Sequence, residues 1–336
     1  MSTSGPRVLG HRTRNMKSNP PTTADKINYK IWDKSQLISL RVIARKESED
    51  SFWPLTEEQK KKLLSPDLEA FIEGNGYSPT PSPESHFTMD RCKDDPMLGT
   101  IWFSMNYARH HRTTWESASD TSLVDKYYAG CVLSYLLRKE PANEVRSGVK
   151  LDSAADLVIE YSPHRITHNS HRIGKCKIRA MDDGGLDIRL RGNDKGSKRH
   201  RVAILHAGLC FDTLDDDGKP GMTDKAFGQV ARIAAARALI KLKAGNDFSI
   251  EKQSVIIILS VLGYLRFLHF EIPKPVIYAL VRGDLQDLPF VEETCTQVRH
   301  TDWLDLGQKQ DRTKTALIVS QIVSQGLDEQ QSLPQV

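Results

Sequence analysis

Three histidines, His164, His168 and His171, fall within eight residues beside Arg165 and Arg172, a density that invites a zinc site. Structural zinc takes four ligands, usually with cysteines or a second ligand pair at fixed spacing. Neither follows here, so only Asp or Glu from elsewhere could complete the set, and a polar loop is the competing reading. A second group runs from Trp102 to Trp115, where Trp102, Phe103, Tyr107 and Trp115 interleave with Arg109 and Arg112. Rings and guanidinium groups in that mixture can stack on bases and contact phosphates. They can equally pack a helix inward and leave the arginines in water. His110 and His111 are adjacent, so they do not face one metal from a helix. The third group is acidic: Asp212, Asp215, Asp216 and Asp217 run into Gly218, Lys219 and Pro220, which reads as a turn and, by itself, as a solvated loop. Patterns for a serine nucleophile elbow, a phosphate loop and a dinucleotide-binding turn are absent from the sequence.

The elements that must position these groups are clearest between Lys198 and Ile272. Arg201 to Gly208 is a short apolar run and reads as a buried strand. After Thr223, Phe227, Val230, Ala231, Ala234, Ala235, Ala238 and Leu239 recur at helical spacing, and Lys225, Arg232, Lys241 and Lys243 form the polar side. Ser254 to Leu262 is too β-branched to favour a helix, and Gly263 splits it from the alternating run Tyr264 to Ile272. Strand, helix, strand, strand is the reading, with the core centred there. Upstream, Lys175 to Met181 and Leu186 to Leu190 flank Asp182-Asp-Gly-Gly185, a turn signal. An antiparallel meander of strands at 175, 186 and 201 is therefore expected. Leu157 to Tyr161 is a strand candidate, and a helix is expected from Ser122 to about Arg138, ended by Pro141.

The flanks carry weaker signals. Residues 1–30 are rich in Ser, Thr, Pro, Lys and Arg, and a disordered basic tail is expected. Through Lys46 there are ten Lys or Arg against two Asp, which fits a nuclear-import signal, a loose nucleic-acid arm or a plain solvated tail. Trp32 to Ala44 is too irregular to assign. Thr56 with Gln59 opens one short helix, and Ser65-Pro66 opens another that Gly74 and Gly76 close. Residues 31–85 thus read as a helical extension ending in a Pro-rich linker, 100–290 as an α/β domain, and 291–336 as a C-terminal extension. Val276 to Val281 suits a helix or a strand, and Thr313 to Val323 an amphipathic helix.

Composition limits the classes. With 336 residues, 39% hydrophobic and 27% charged, the chain is long enough to bury a core, and its net charge of +4 does not by itself imply a nucleic-acid partner. Five scattered cysteines, at positions 92, 131, 176, 210 and 295, argue for a reducing compartment and against a disulfide framework. Arg266 interrupts the most apolar stretch, Val255 to Leu265, well short of the roughly 20 residues that cross a bilayer. An intracellular protein is expected, with no membrane partner and no organic cofactor.

The stretch from Arg201 to Ile272 resembles a group of uncharacterised fungal proteins related to the PD-(D/E)XK, or restriction-endonuclease-like, nuclease superfamily. The residues that carry the likeness are Asp217-Gly-Lys-Pro220, the helix start Thr223-Asp224 with Gln229, and Val255 through Gly263 to Arg266-Phe-Leu-His-Phe-Glu-Ile272. It extends from Ser122 through Leu190 in weaker form and does not cover the first 100 residues. The resemblance implies an α/β (α+β) fold, a mixed central sheet flanked by helices. It also implies a Glu-x-Lys triplet whose carboxylate holds Mg²⁺ and whose lysine orients water or stabilises charge at phosphorus. Here the triplet falls on His206-Ala207-Gly208. Imidazole is a poor ligand for hard Mg²⁺, and glycine brings no cation. The first acid of the family's site is expected at Asp187, with Asp183 in the turn as the alternative. A degenerate protein with weak or no nuclease activity, binding nucleic acid or protein, is the leading expectation. An active nuclease with a migrated site is the second: Asp187, Asp212 and Asp215 hold Mg²⁺, and Asp187, His206 and Lys219 act in catalysis, Lys219 standing in for the missing lysine. A protein-interaction module unrelated to nucleic acid is the third.

Overall fold

The computed structural model describes residues 42–46, 56–64, 66–77, 92, 95–110, 118–139, 157–169, 178–190, 200–207, 219–243 and 251–331. In chain order their elements are β1 (Val42–Lys46), α1 (Glu57–Leu63), α2 (Glu69–Glu73), α3 (Pro96–His110), α4 (Ala118–Arg138), β2 (Leu157–Ser162), β3 (Thr167–Asn169) and β4 (Arg179–Met181). Then come β5 (Gly184–Leu190), β6 (His200–Ala207), α5 (Asp224–Lys243), β7 (Lys252–Val261), β8 (Tyr264–Pro273), α6 (Lys274–Arg282), β9 (Thr296–His300), β10 (Leu304–Asp305) and α7 (Lys309–Gln331).

A strand presents alternate residues to opposite faces, so one that is apolar at every position must be covered on both sides. The run Val255 to Leu259 meets that condition. Val255, Ile257 and Leu259 pack towards α5 and α6, while Ile256 and Ile258 pack towards α3, α4 and α7. Strand β7 thus lies inside an eight-stranded mixed sheet of order β1-β9-β8-β7-β6-β5-β2, with β10 also paired to β8. Pairing is parallel between β6 and β7, which α5 connects, and between β1 and β9; the other pairs are antiparallel. The class is α+β, with helices on both faces.

The β7–β8 hairpin turns on Leu262 and Gly263, whose φ angles are 53° and 75°. Two successive left-handed residues give the turn whose twist matches that of paired strands, and glycine takes one of them without strain. Leucine does not, and the fold holds it from outside. The buried Asp125 side chain on α4 accepts the backbone N–H groups of both turn residues, and Ser260 Oγ donates to the Asp125 carbonyl at 2.9 Å.

Several expectations need correcting. The segment ending at Met181 does not join a meander with β5: β4 pairs with β3 in a separate two-stranded sheet, and β5 lies between β2 and β6. The turn residues Asp182 and Asp183 are drawn inward by buried partners instead of linking two neighbouring strands. The boundary at 290 divides no body, because β9 and β10 pair with β8 and α7 packs into the core. Within 31–85, helices α1 and α2 accompany a strand, β1, for which the sequence offered no assignment. Residues 1–30 and the Pro-rich linker from 78 to 85 lie outside the described residues. No helix among the described residues is long and apolar enough to cross a membrane.

Gly185 marks the closest approach of β5 to its neighbour, since a Cβ there would collide with the Ala203 carbonyl oxygen. Gly185→Ala is expected to destabilise the fold by about 1–3 kcal/mol through this overlap. The check is a lower urea midpoint at unchanged m-value.

Candidate functional site

The polar centre sits where β5 begins and β6 ends, and a register shift creates it. Leu186 pairs with Ala203 but Asp187 pairs with Arg201, so β6 contains one residue more than β5 at that point. An extra residue reverses which face the following side chains occupy. Val202 and Ala203 both turn to the α7 side, and Arg201 comes to share a face with Asp187.

Arg201 is the hub. Its Nε and Nη2 donate to the two oxygens of Asp187 at 2.7 and 3.2 Å, and its Nη1 donates to Asp182 Oδ2 at 2.6 Å. Nη2 also reaches the His164 carbonyl. Asp182 further accepts the Ile166 amide at 2.7 Å and bonds His168 Nε2 at 2.8 Å. Asp182, Arg201 and Asp187 are 0%, 2% and 4% exposed, so this is an ion network sealed from water. Its two carboxylates raise the Arg201 pKa against the opposing effect of burial.

Beside it lies a second, more open cluster. Asp183 Oδ2 bonds His206 Nδ1 at 3.1 Å and accepts the Ala207 amide at 3.0 Å, while Oδ1 pairs with Arg165 at 2.9 Å. Burial pushes the Asp183 carboxyl up, but His206, the amide and Arg165 together bring it below its ordinary value. With Nδ1 donating to a carboxylate, a neutral His206 keeps its lone pair on Nε2, which has no partner among the described residues. Lys126 donates to the Pro163 carbonyl at 2.8 Å, and its pKa is lowered by burial and then by Arg165. Burial raises Tyr161 to about 12.

The expected site residues are therefore distributed differently. Asp183, not Asp187, is the acid beside His206, and Asp187 is committed to Arg201. Lys219 acts electrostatically on Asp311 at the start of α7. Asp212, Asp215 and the rest of the acidic turn, with Gly208, lie outside the described residues. Of the histidine cluster, His168 is buried against Asp182 and His164 contributes its carbonyl, while His171 lies outside the described residues. Among the described residues no group of three His, Cys, Asp or Glu is placed to hold a metal ion. Protein donors already bond the oxygens of both Asp183 and Asp187.

The aromatic and basic group is split. Trp102 is buried, donates Nε1 to the Asn75 carbonyl at 2.9 Å and stacks on Phe71. Arg109 pairs with Asp305 and lies over the Tyr264 ring, so it is not part of an outward basic stripe. Sequence reasoning gave no functional part to Arg201, Asp182 or Lys126, and it grouped Arg165 with the histidines instead of with Asp183. An arginine at the head of an apolar strand was the one available signal, since a charge buried there requires partners. Comparison with models of protein families and with curated proteins gives no match.

Proposed function

We propose that the chain is a degenerate relative of the PD-(D/E)XK nucleases, restriction-endonuclease-like in its core, that binds nucleic acid without hydrolysing it. The order of α4, β2, β5, β6, α5 and β7 supports that ancestry: a helix, three antiparallel strands, and a helix returning to a fourth strand parallel to the third. The observation that carries the loss of hydrolysis is the bond from His206 to Asp183. A metal-dependent phosphodiesterase needs carboxylate oxygens free to bind a hard cation. Here the acid is closed off by an imidazole, an amide and the Arg165 guanidinium, while Lys126, bonded to a carbonyl, leaves a cation at the rim.

The test is a cleavage assay of the full chain on single- and double-stranded DNA and RNA with Mg²⁺ or Mn²⁺, alongside oligonucleotide binding at several salt concentrations. No hydrolysis above an Asp183→Ala control is expected, with an affinity that falls as salt rises. Divalent-dependent cleavage that Asp183→Ala abolishes would overturn the degenerate reading. Absent or salt-insensitive affinity would favour the protein-interaction module. One observation favours the migrated site as a second reading: His206 Nδ1 is held by a carboxylate and its buried Nε2 has no partner among the described residues, the pairing that orients a metal-binding or proton-accepting histidine. In that case cleavage is lost in Asp212→Ala and Asp215→Ala.

A further inference from the structure

Phe103, Leu123 and Tyr127 are 47%, 60% and 57% exposed, large apolar side chains left in water on the outer helix pair. Phe103 stacks on Tyr107 one turn further along α3, with ring centroids 6.0 Å apart and planes 22° from parallel. The stripes of the two helices lie side by side, because Cys131 on α4 bonds both Tyr127 and Ser104 of α3, and Arg138 reaches the Met97 sulfur at 3.5 Å. At about 100° per residue, Lys126 stands roughly a quarter turn from Tyr127, on the flank that faces away from α3. There its ammonium sits on Pro163, next to Arg165 and so to the Asp183–His206 corner. Rings, then cations, then the corner form one continuous band.

We propose that this band is a binding platform for single-stranded nucleic acid, with bases stacked on Phe103, Tyr107 and Tyr127 and the backbone phosphates held by Lys126 and Arg165. It rests on the nucleic-acid reading above and adds the strand type and the residues. The composition of the patch selects the occupant. Exposed rings suit the π-face that every base carries, and a single strand offers bases that a duplex keeps stacked inside. The two cations complement a polyanion: the Lys126 ammonium holds only a neutral carbonyl, and the Arg165 guanidinium, which gives one nitrogen to Asp183, has further N–H donors for a phosphate.

The experiment is fluorescence anisotropy with the full chain and a labelled 12-nucleotide oligo-dT, against a duplex of equal length, at low and moderate salt. Single-strand preference is expected, with Phe103→Ala and Tyr127→Ala each weakening oligo-dT binding about tenfold at unchanged salt slope. Lys126→Ala is expected to flatten the slope by about one. Both ring positions are exposed, so circular dichroism and the urea midpoint should match the parent chain. Binding that ignores both ring substitutions, or that equals duplex binding, overturns the platform and leaves the nucleic-acid reading intact. Absence of any oligonucleotide affinity defeats that reading first, and the platform with it. A concentration-dependent dimer that Tyr127→Ala dissolves, without oligo-dT binding, overturns the platform in favour of self-association.

Discussion

Arg201→Met is expected to be the most damaging single substitution in the chain, costing about 3–5 kcal/mol or leaving it unfolded. Removing the guanidinium strands Asp182 and Asp187 in a space with almost no water, and Asp187 loses both of its charged donors. The amide of Ile166 and His168 still hold Asp182, so the penalty falls mainly on Asp187. Arg201→Lys should rescue little, since an ammonium cannot span the two oxygens of Asp187 and still reach Asp182. The double variant Arg201→Met with Asp187→Leu should recover much of the loss, because an apolar pair of similar volume carries no desolvation penalty. Urea denaturation followed by circular dichroism measures all three. A loss below about 1 kcal/mol for Arg201→Met would be the size of a solvent-exposed pair and would contradict a sealed network.

The second large effect depends on pH. Asp125 is 3% exposed, and no cation among the described residues pairs with it; burial raises its pKa from 3.8 to about 7, against the two turn amides that favour the charged form. An unfolded chain releases that proton near 3.8, whereas the folded chain keeps it to about 7. The stabilisation is therefore complete below the lower value and is lost as pH rises through the upper one, by about 4 kcal/mol in all. The groups packed near the carboxyl are the Leu262 and Gly263 amides, the buried Tyr128 hydroxyl, and Arg109, whose charge is engaged by Asp305. Asp125→Asn keeps an oxygen for the amides and removes the titration, so it should be more stable than the parent at pH 8 and flatter between pH 4 and 7. His200 and His269 act with the opposite sign: burial holds both down to about 4, so stability is lost as pH falls below the ordinary imidazole range. Only the difference between parent and Asp125→Asn isolates the aspartate. Equal pH profiles for the two chains would refute the assignment.

What could be read from residue order followed the range of the interactions. Strands β7 and β8 and helix α5 were legible because their periods are local and their turn is marked by Gly263. The mixed sheet flanked by helices was an expectation from the resemblance, not from these runs. The polar centre was not legible, because one extra residue in β6 decides which side chains share a face, and alternation gives no sign of it. That shift commits Asp187 to Arg201, while Asp183, a turn residue by composition, lies beside His206. Asp183 was the alternative from the start, and His206 and the Ala207 amide hold it at the end of β6. Strand β1 escaped assignment because its partner among the described residues, β9, lies about 250 residues further along the chain.

That last pairing bears on how the molecule is made. Val42 lies opposite Thr296, and the two strands run in the same direction. While the chain is being synthesised, the rim of β9 that will receive β1 does not yet exist, and Val42 to Lys46 must wait for nearly all that follows. The loop closed by their meeting is among the longest the sequence allows, a contact of the kind that slows folding and is formed late. Until then β9, or β8 before it, forms the margin of the sheet, and a polypeptide halted before Thr296 leaves β1 with no strand to join. The β1–β9 seam of the sheet thus joins a strand made early to one made late.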